Sequence, residues 1–330
     1  MAIRRAWCLK VLLGVTVFFS FLLLWNSWSQ FLEDARGRWF WFFDFAPSGR
    51  KGINFPSLFS EELPEPKCQT ELLLLILVTS KPDHHDSRKA IRRTWASPTE
   101  RTTDKWQVVF LVGQTLDVEL DWRIHNEQKA NDDILMGDYL DSYRNLTLKV
   151  MHGMKWAVDR CRPRYILKTD DDCFVNTHYL PSFLRDRGHG TGHLYVGSVV
   201  PEQKRVVVRD PLSKWYVSYR EYEPRVYPAY ANGIGYIVSF YTAKSILRAA
   251  RTVPPIPVED AYLGILAERA KIRLLTSARF AKHNLKWSVC NYRFLMVIHG
   301  LSPEDQALAL ENLQRTRTSC NHSTEVAHWR

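Results

Sequence analysis

Three consecutive carboxylates, Asp170, Asp171 and Asp172, are the residues of this chain whose types and spacing could most directly do chemistry. They follow the apolar run Tyr165–Leu167, which predicts a short buried strand, and open α/β sheets bind their ligands at the carboxyl ends of such strands. Carboxylates this close repel one another, and a hard divalent cation such as Mg²⁺ or Mn²⁺ relieves that repulsion through oxygen ligands. A solvated Asp-rich turn is the alternative interpretation.

The elements that must position these aspartates alternate between strand and helix. Leu72–Val78 and Trp106–Val112 are apolar without alternation, as expected for strands covered on both faces. Asn145–Val158 carries apolar residues close to a helical period, which predicts a helix. Because strands and helices alternate along the chain, we expect an α/β fold with a parallel, doubly wound sheet. Three later segments complete the prediction, two strands at Leu194–Val200 and Arg205–Val208 and a helix at Ala261–Ala270 that begins just after Glu259 and Asp260.

The N-terminal segment predicts a membrane anchor. Arg4, Arg5 and Lys10 precede or flank an apolar stretch that ends at Trp25 and reaches roughly the 20 residues that a spanning helix needs. Positive charge before the span keeps the N-terminus cytoplasmic, and no small-residue cleavage site follows it. The predicted organisation is a tail at 1–6, a transmembrane signal-anchor helix at 7–28, a proline-interrupted stem at 29–67 and a lumenal catalytic domain at 68–330.

Cysteines and glycosylation sequons agree with a lumenal domain. Asn145 and Asn321 each begin an N-glycosylation sequon. The net charge of +10 is accompanied by no nucleic-acid-binding motif, and it favours an anionic ligand or membrane face. Because the number of lumenal cysteines is odd, at least one of them stays unpaired within the chain. These cysteines are Cys68, Cys161, Cys173, Cys290 and Cys320.

Six motifs in order resemble one enzyme family, the Golgi beta-1,3-galactosyltransferases and N-acetylglucosaminyltransferases of glycosyltransferase family 31. The resemblance covers roughly Leu72 to Cys320. The motifs are Arg88–Trp95, Phe110–Gly113, Asp138–Lys149, Lys168–Asp172, Tyr230–Tyr236 and Glu259–Gly264.

This resemblance implies a GT-A fold, in which a Rossmann-like, mainly parallel sheet flanked by helices merges with an acceptor-binding part. It also implies a UDP-sugar donor, Mn²⁺ and inversion at the anomeric carbon. Asp172 and His299 match the family's metal ligands, and Asp260 matches its catalytic base. Asp170 and Asp171 would face the ribose and the donor.

Several residues keep two interpretations. Without the resemblance, Asp260 is explained by the helix dipole, and His299 by a core position with satisfied nitrogens. Arg92 lies either on a solvated helix face or near the diphosphate, where Arg clamps bind. Lys168 either pairs with the aspartates or reaches the donor. The aromatic segment from Trp215 to Tyr230 is core, with one or two rings available to stack on a sugar.

The predicted function is galactose transfer from UDP-galactose, in β1,3 linkage, to a glycan acceptor on a glycoprotein or glycolipid. The enzyme would be a single-pass type II protein of the Golgi membrane. Thr169 before the aspartates resembles the galactose-transferring members. The alternatives are transfer of N-acetylglucosamine or N-acetylgalactosamine, a catalytically silent lumenal chaperone, and a metal-dependent phosphohydrolase.

Overall fold

A seven-stranded mixed β-sheet with flanking helices is the frame of the computed structural model, which describes residues 63, 65–97, 104–187, 192–282 and 289–320. The strands are β1 (Leu74–Thr79), β2 (Trp106–Gln114), β3 (Ile134–Leu140), β4 (Tyr165–Asp170), β5 (Cys173–Val175), β6 (Tyr195–Val199), β7 (Ala231–Ser239), β8 (Leu275–Thr276), β9 (Phe280–Ala281) and β10 (Val297–His299). The helices are α1 (His85–Arg93), α2 (Val118–Asn131), α3 (Leu146–Trp156), α4 (Leu180–Arg187), α5 (Phe240–Ala250), α6 (Glu259–Arg269) and α7 (Pro303–Ser319).

The strand order places the aspartates where the sheet changes direction. The order is β3-β2-β1-β4-β7-β6-β8, so the chain builds outward from β1 to β3 and then returns to the other side of β1 with β4. Thr79 and Asp170, which end β1 and β4, are register partners in this parallel pair. Ligands of open α/β sheets bind at such a switch point, outside the carboxyl ends of the strands.

The prediction of a mainly parallel sheet is correct for β3, β2, β1 and β4, but β7 runs antiparallel to both β4 and β6. Parallel neighbours need a crossover connection, usually a helix. Residues 200–230, between β6 and β7, contain only a 3₁₀ turn at Glu202–Lys204, and they return the chain in the opposite direction. The strand predicted at Arg205–Val208 is wrong, because only an isolated bridge between Val206 and Val226 forms there.

The apolar runs fold as predicted because both faces of the central strands are covered. All six residues of β1 are buried. The helix predicted at Asn145–Val158 is α3, which continues into a π-helical turn at Ala157–Cys161. Helix α2 begins after Asp117, whose carboxylate accepts hydrogen bonds from the backbone N–H groups of Glu119 and Leu120.

A small second sheet carries His299 to the end of the aspartate run. Strand β10 pairs antiparallel with β5 and parallel with β9, and His299 stands opposite Cys173 in that pairing. Disulfides join Cys68 to Cys161 and Cys290 to Cys320, and Cys173 is free and buried. The prediction that at least one of these five cysteines stays unpaired within the chain is therefore confirmed.

The predicted tail at 1–6, the anchor at 7–28, most of the stem and Asn321 lie outside the described residues. Among the helices that the structure does describe, none is long and apolar enough to cross a membrane.

Candidate active site

Asp172 and His299, the two predicted metal ligands, are brought together. His299 Nε2 lies 3.2 Å from Asp172 Oδ2. The backbone fixes this contact, because the Asp172 carbonyl accepts hydrogen bonds from the N–H groups of Gly300 and Leu301 at 3.0 and 2.9 Å. The hydrogen bond to Asp172 raises the pKa of His299. Burial acts to raise the pKa of Asp172, but the hydrogen bond and the charge of His299 outweigh it, so the pKa of Asp172 is lowered.

The chemistry of this pair fits a hard or borderline divalent cation. A carboxylate oxygen suits Mn²⁺, and an imidazole nitrogen is a common ligand of the borderline divalent transition metals. Adjacent ligands on a small octahedral cation lie about 3 Å apart, close to the separation seen here. The Asp172 side chain is 46% exposed, so its carboxylate is accessible from solvent. Across the described ranges, no group of three or more His, Cys, Asp or Glu side chains is arranged to hold a metal ion.

Lys168 ties the aspartates to the far side of the site. Its side chain is only 1% exposed, and Nζ donates to Asp170 Oδ1 and to the Gly233 carbonyl, each at 2.7 Å. Nζ also lies 3.5 Å from Glu259 Oε2. Burial acts to lower the pKa of Lys168, but the carboxylates of Asp170 and Glu259 outweigh it and raise that pKa. Of the two predicted roles, pairing with the aspartates is the one that the structure shows.

Asp260, the predicted base, stands at the start of α6 and is linked to this network through Gly233. Its Oδ2 accepts a hydrogen bond from the Gly233 N–H at 3.0 Å, and its Oδ1 accepts one from the Ala261 N–H at 2.8 Å. Because Gly233 also accepts from Lys168 through its carbonyl, the backbone of one glycine and one ammonium link Asp260 to Asp170. Burial raises the pKa of Asp260, against the opposing charge of Lys168, and a carboxylate with a raised pKa is a better proton acceptor.

Glu259 is a buried acid that the sequence analysis placed only in a motif and at the start of a helix. Its Oε1 accepts a hydrogen bond from the Tyr236 hydroxyl, and Tyr236 is the register partner of Lys168 across β4 and β7. Burial raises the pKa of Glu259 to about 7, although Lys168 acts to lower it. Lys168 and Glu259 are distant in sequence, and the pairing of β4 with β7 brings Lys168 beside Tyr236, the partner of Glu259.

Asp171 is held by two polar residues that follow β1. Ser80 Oγ donates to Asp171 Oδ2 at 2.7 Å, and His84 Nδ1 lies 2.9 Å from the same oxygen. Arg88 Nη1 donates to Ser80 Oγ at 3.0 Å, so α1 supports this contact. Sequence reasoning missed Ser80 and His84. The sequence shows these two residues only as part of a polar turn directly after a buried strand, and such a turn cannot be told from an ordinary loop by its sequence.

Arg92 is not brought to the aspartates. Its guanidinium makes a two-pronged contact with Asp133, through Nε at 2.7 Å and Nη2 at 2.8 Å, and its Nη1 donates to Glu127 at 2.6 Å. These contacts join α1, α2 and the start of β3, and they leave each guanidinium nitrogen engaged within the protein. A diphosphate-binding role for Arg92 therefore has no support in this arrangement.

Asn145, one of the two predicted glycosylation sites, is buried. Its amide nitrogen, which would carry a glycan, donates to the Leu140 carbonyl at 2.9 Å. The fold therefore already uses the atom that modification would require.

Comparison with known proteins gives consistent matches over most of the chain. A family model described as galactosyltransferase matches residues 86–277, a span that contains all three aspartates and Asp260. Beta-1,3-galactosyltransferase 5 of Homo sapiens is 34% identical over 259 residues, which cover 76% of this chain and 83% of that protein. Beta-1,3-galactosyltransferase 1 of Mus musculus is 32% identical over 272 residues, covering 80% and 81% respectively. The solved structure of galactosyltransferase LgtC with donor and acceptor sugar analogues covers 76% of this chain and 98% of LgtC, at 11% identity and a TM-score of 0.36.

Proposed function

This chain belongs to the galactosyltransferase family, and from that membership we propose that it transfers galactose from UDP-galactose, in β1,3 linkage and with inversion, to a glycan acceptor. The acceptor would be carried on a glycoprotein or glycolipid, and the sheet would be that of a GT-A glycosyltransferase. The two relatives compared above are named for this linkage and this sugar.

One observation carries the proposal. The proposed base lies on one continuous network with the aspartate run, from Asp170 at the end of β4 through Lys168 and Gly233 to Asp260, and the proposed metal ligand Asp172 follows Asp170 by two residues. Asp170 and Asp260 are 90 residues apart in sequence, so local structure alone would not bring them together. A solvated Asp-rich turn would have no reason to share a buried lysine with a second acidic site.

The residues divide the reaction between them. Asp260 accepts the proton of the acceptor hydroxyl as that oxygen bonds to the anomeric carbon. The bond from the anomeric carbon to the β-phosphate oxygen breaks, and its electron pair leaves with UDP. Lys168 orients both sides, since it holds Asp170 towards the donor and fixes Gly233, whose N–H orients Asp260.

Mn²⁺ held by Asp172 and His299 would supply a Lewis acid that neutralises the charge on the departing diphosphate. Asp170 and Asp171 would face the ribose and the donor sugar. Asp171 is suited to this role because Ser80 and His84 fix its carboxylate.

We also propose that the enzyme works in the Golgi lumen as a single-pass type II membrane protein. The support comes from the charged and apolar pattern of residues 1–28 and from the two disulfides, which persist in oxidising compartments. Expression of the full-length chain followed by protease protection would test this orientation.

The enzymatic proposal is tested by supplying the full-length chain with Mn²⁺ and UDP-galactose, UDP-N-acetylglucosamine or UDP-N-acetylgalactosamine. Acceptors ending in N-acetylglucosamine, N-acetylgalactosamine and galactose complete the screen. We expect galactose transfer with release of UDP, and a β1,3 linkage in the product by NMR. Absence of both transfer and donor hydrolysis would favour a silent relative, and release of free phosphate would indicate a phosphohydrolase.

A further inference from the structure

Two exposed aromatic side chains, Tyr143 and Trp215, form a joined surface beside the site. They are 44% and 48% exposed. The ammonium group of Lys214 lies over both rings and joins them into one surface. The Lys214 ammonium lies 5.3 Å from the Tyr143 ring centre and 4.7 Å from that of Trp215. We refer to Tyr143, Trp215 and Lys214 as the aromatic face.

Backbone and side-chain contacts hold this face next to the loop that carries Asp260. Tyr143 comes one turn before Thr147, whose hydroxyl donates to the Ile256 carbonyl at 2.7 Å, four residues ahead of Asp260. Arg144, which follows Tyr143, donates to the backbone carbonyl of Tyr216 at 3.3 Å and so ties the segment that carries Trp215 to the residue next to Tyr143.

The face lies on the side of the proposed base. Thr147, one turn after Tyr143, donates to the Ile256 carbonyl in the loop that leads to Asp260. Burial raises the pKa of the Tyr143 hydroxyl, and the negative charge of Asp260 raises it further, in agreement with that placement. In the proposed reaction Asp260 contacts the acceptor, and the aromatic face is therefore on the acceptor's side.

We propose that the aromatic face is the acceptor subsite, where the rings of Trp215 and Tyr143 stack on the C–H face of the pyranose whose hydroxyl Asp260 deprotonates. This inference rests on the proposed transferase function and adds a binding surface to it. The faces of aromatic rings carry negative charge and attract C–H groups, which a pyranose ring presents on one side. Lys214 at the edge of the face provides donors for the hydroxyls of the same sugar.

The test uses the full-length chain with Trp215→Ala, Trp215→Phe and, as a matched control, Trp122→Ala. Trp122 is also a highly exposed tryptophan, but it lies on α2. The acceptor probes are methyl β-N-acetylglucosaminide and methyl β-galactoside, which have no aromatic aglycone that could stack by itself. Initial rates give KM for acceptor and donor separately, and UDP release without acceptor measures donor hydrolysis.

Stacking of a nucleic-acid base on an aromatic side chain changes affinity by about 5- to 150-fold, and a pyranose presents less polarisable C–H groups, so we expect Trp215→Ala to raise the acceptor KM by about tenfold. The donor KM and donor hydrolysis should be unchanged, Trp215→Phe should recover most of the loss, and Trp122→Ala should behave as wild type. An unchanged acceptor KM in Trp215→Ala would overturn the inference. A raised donor KM with unchanged acceptor KM would also overturn it, because the face would then stack on the uracil of the donor.

Failure of the proposed function is distinguishable, since the wild-type chain would then transfer no sugar to any acceptor. In that case saturation-transfer NMR with the same methyl glycosides tests the face without turnover. Loss of the ring-proton signal in Trp215→Ala, but not in Trp122→Ala, supports the acceptor subsite. A signal that persists in Trp215→Ala, or that is missing in the wild-type chain, refutes it.

Discussion

Lys168 and Glu259 should be strongly coupled in their effects on the free energy of unfolding at pH 8, and weakly coupled at pH 5.5. Their charged atoms lie 3.5 Å apart, and their side chains are 1% and 3% exposed. At that distance the attraction is about 5 kcal/mol for an effective dielectric constant of 20. Because Asp170 and the Gly233 carbonyl share the same ammonium, we expect a measured coupling of about 2 to 3 kcal/mol.

The pH dependence follows from the direction of the shift in Glu259. Burial raises its pKa to about 7, from 4.5 for an ordinary glutamate. Between these two values the native state keeps a proton that the unfolded chain has released, so the free energy of unfolding falls as the pH rises through this window. The fall amounts to about 3 kcal/mol over the whole window. At pH 5.5 Glu259 is neutral, and its coupling to Lys168 is reduced to that of a hydrogen bond.

The assay is urea unfolding of the full-length chain, followed by tryptophan fluorescence with the disulfides intact. Wild type, Lys168→Met, Glu259→Gln and the double variant form a cycle that isolates the pairwise free energy. The exposed pair Lys155–Asp159 is the control, and such pairs contribute about 0.5 kcal/mol or less at either pH. The reasoning is refuted if the Lys168 and Glu259 effects add to within about 0.5 kcal/mol at pH 8.

Three other substitutions test the remaining parts of the site. Asp172→Ala should abolish Mn²⁺-dependent UDP binding in calorimetry with and without a chelator, and an unchanged affinity would remove Asp172 from the metal site. Asp260→Asn should keep UDP binding while turnover falls by about 10²- to 10⁴-fold, with Asp159→Asn as an exposed control, and wild-type turnover would mean that another residue is the base. Glu127→Gln should cost about 3 to 5 kcal/mol of unfolding free energy at pH 7, because buried Arg88 loses its charged partner. Despite the opposing effect of burial, Arg88 holds the pKa of Glu127 at about 2, so this deficit should shrink as the pH falls from 4.5 towards 2, and a deficit that does not change with pH would contradict the assignment.

Much of the frame could be predicted because it depends on local pattern. The apolar runs at β1 and β2 and the helical periodicity of α3 led to elements that the structure contains, within a few residues at each end. The odd number of cysteines after residue 67 required an unpaired one, but only the fold shows that it is Cys173, buried beside the Ile234 carbonyl.

The direction of β7 and the role of Arg92 could not be read in the same way. A strand's own residues favour burial on both faces whether its neighbour is parallel or antiparallel, and the connection through residues 200–230 decided the direction of β7. From the sequence, a basic residue on α1 could bind a diphosphate. The structure instead shows Arg92 in ion pairs with Glu127 and Asp133, which only the fold brings next to it.

By itself, the sequence determined which residue types stand at the ends of buried strands, and therefore that Asp170, Asp171 and Asp172 lie together at one edge of a sheet. Only the tertiary structure decided which distant groups meet them there. Lys168 and Gly233 are 65 residues apart, and Ser80 and Asp171 are 91 residues apart. Contacts over such separations depend on strand order and register, because these are set by the packing of the whole sheet and not by any one segment.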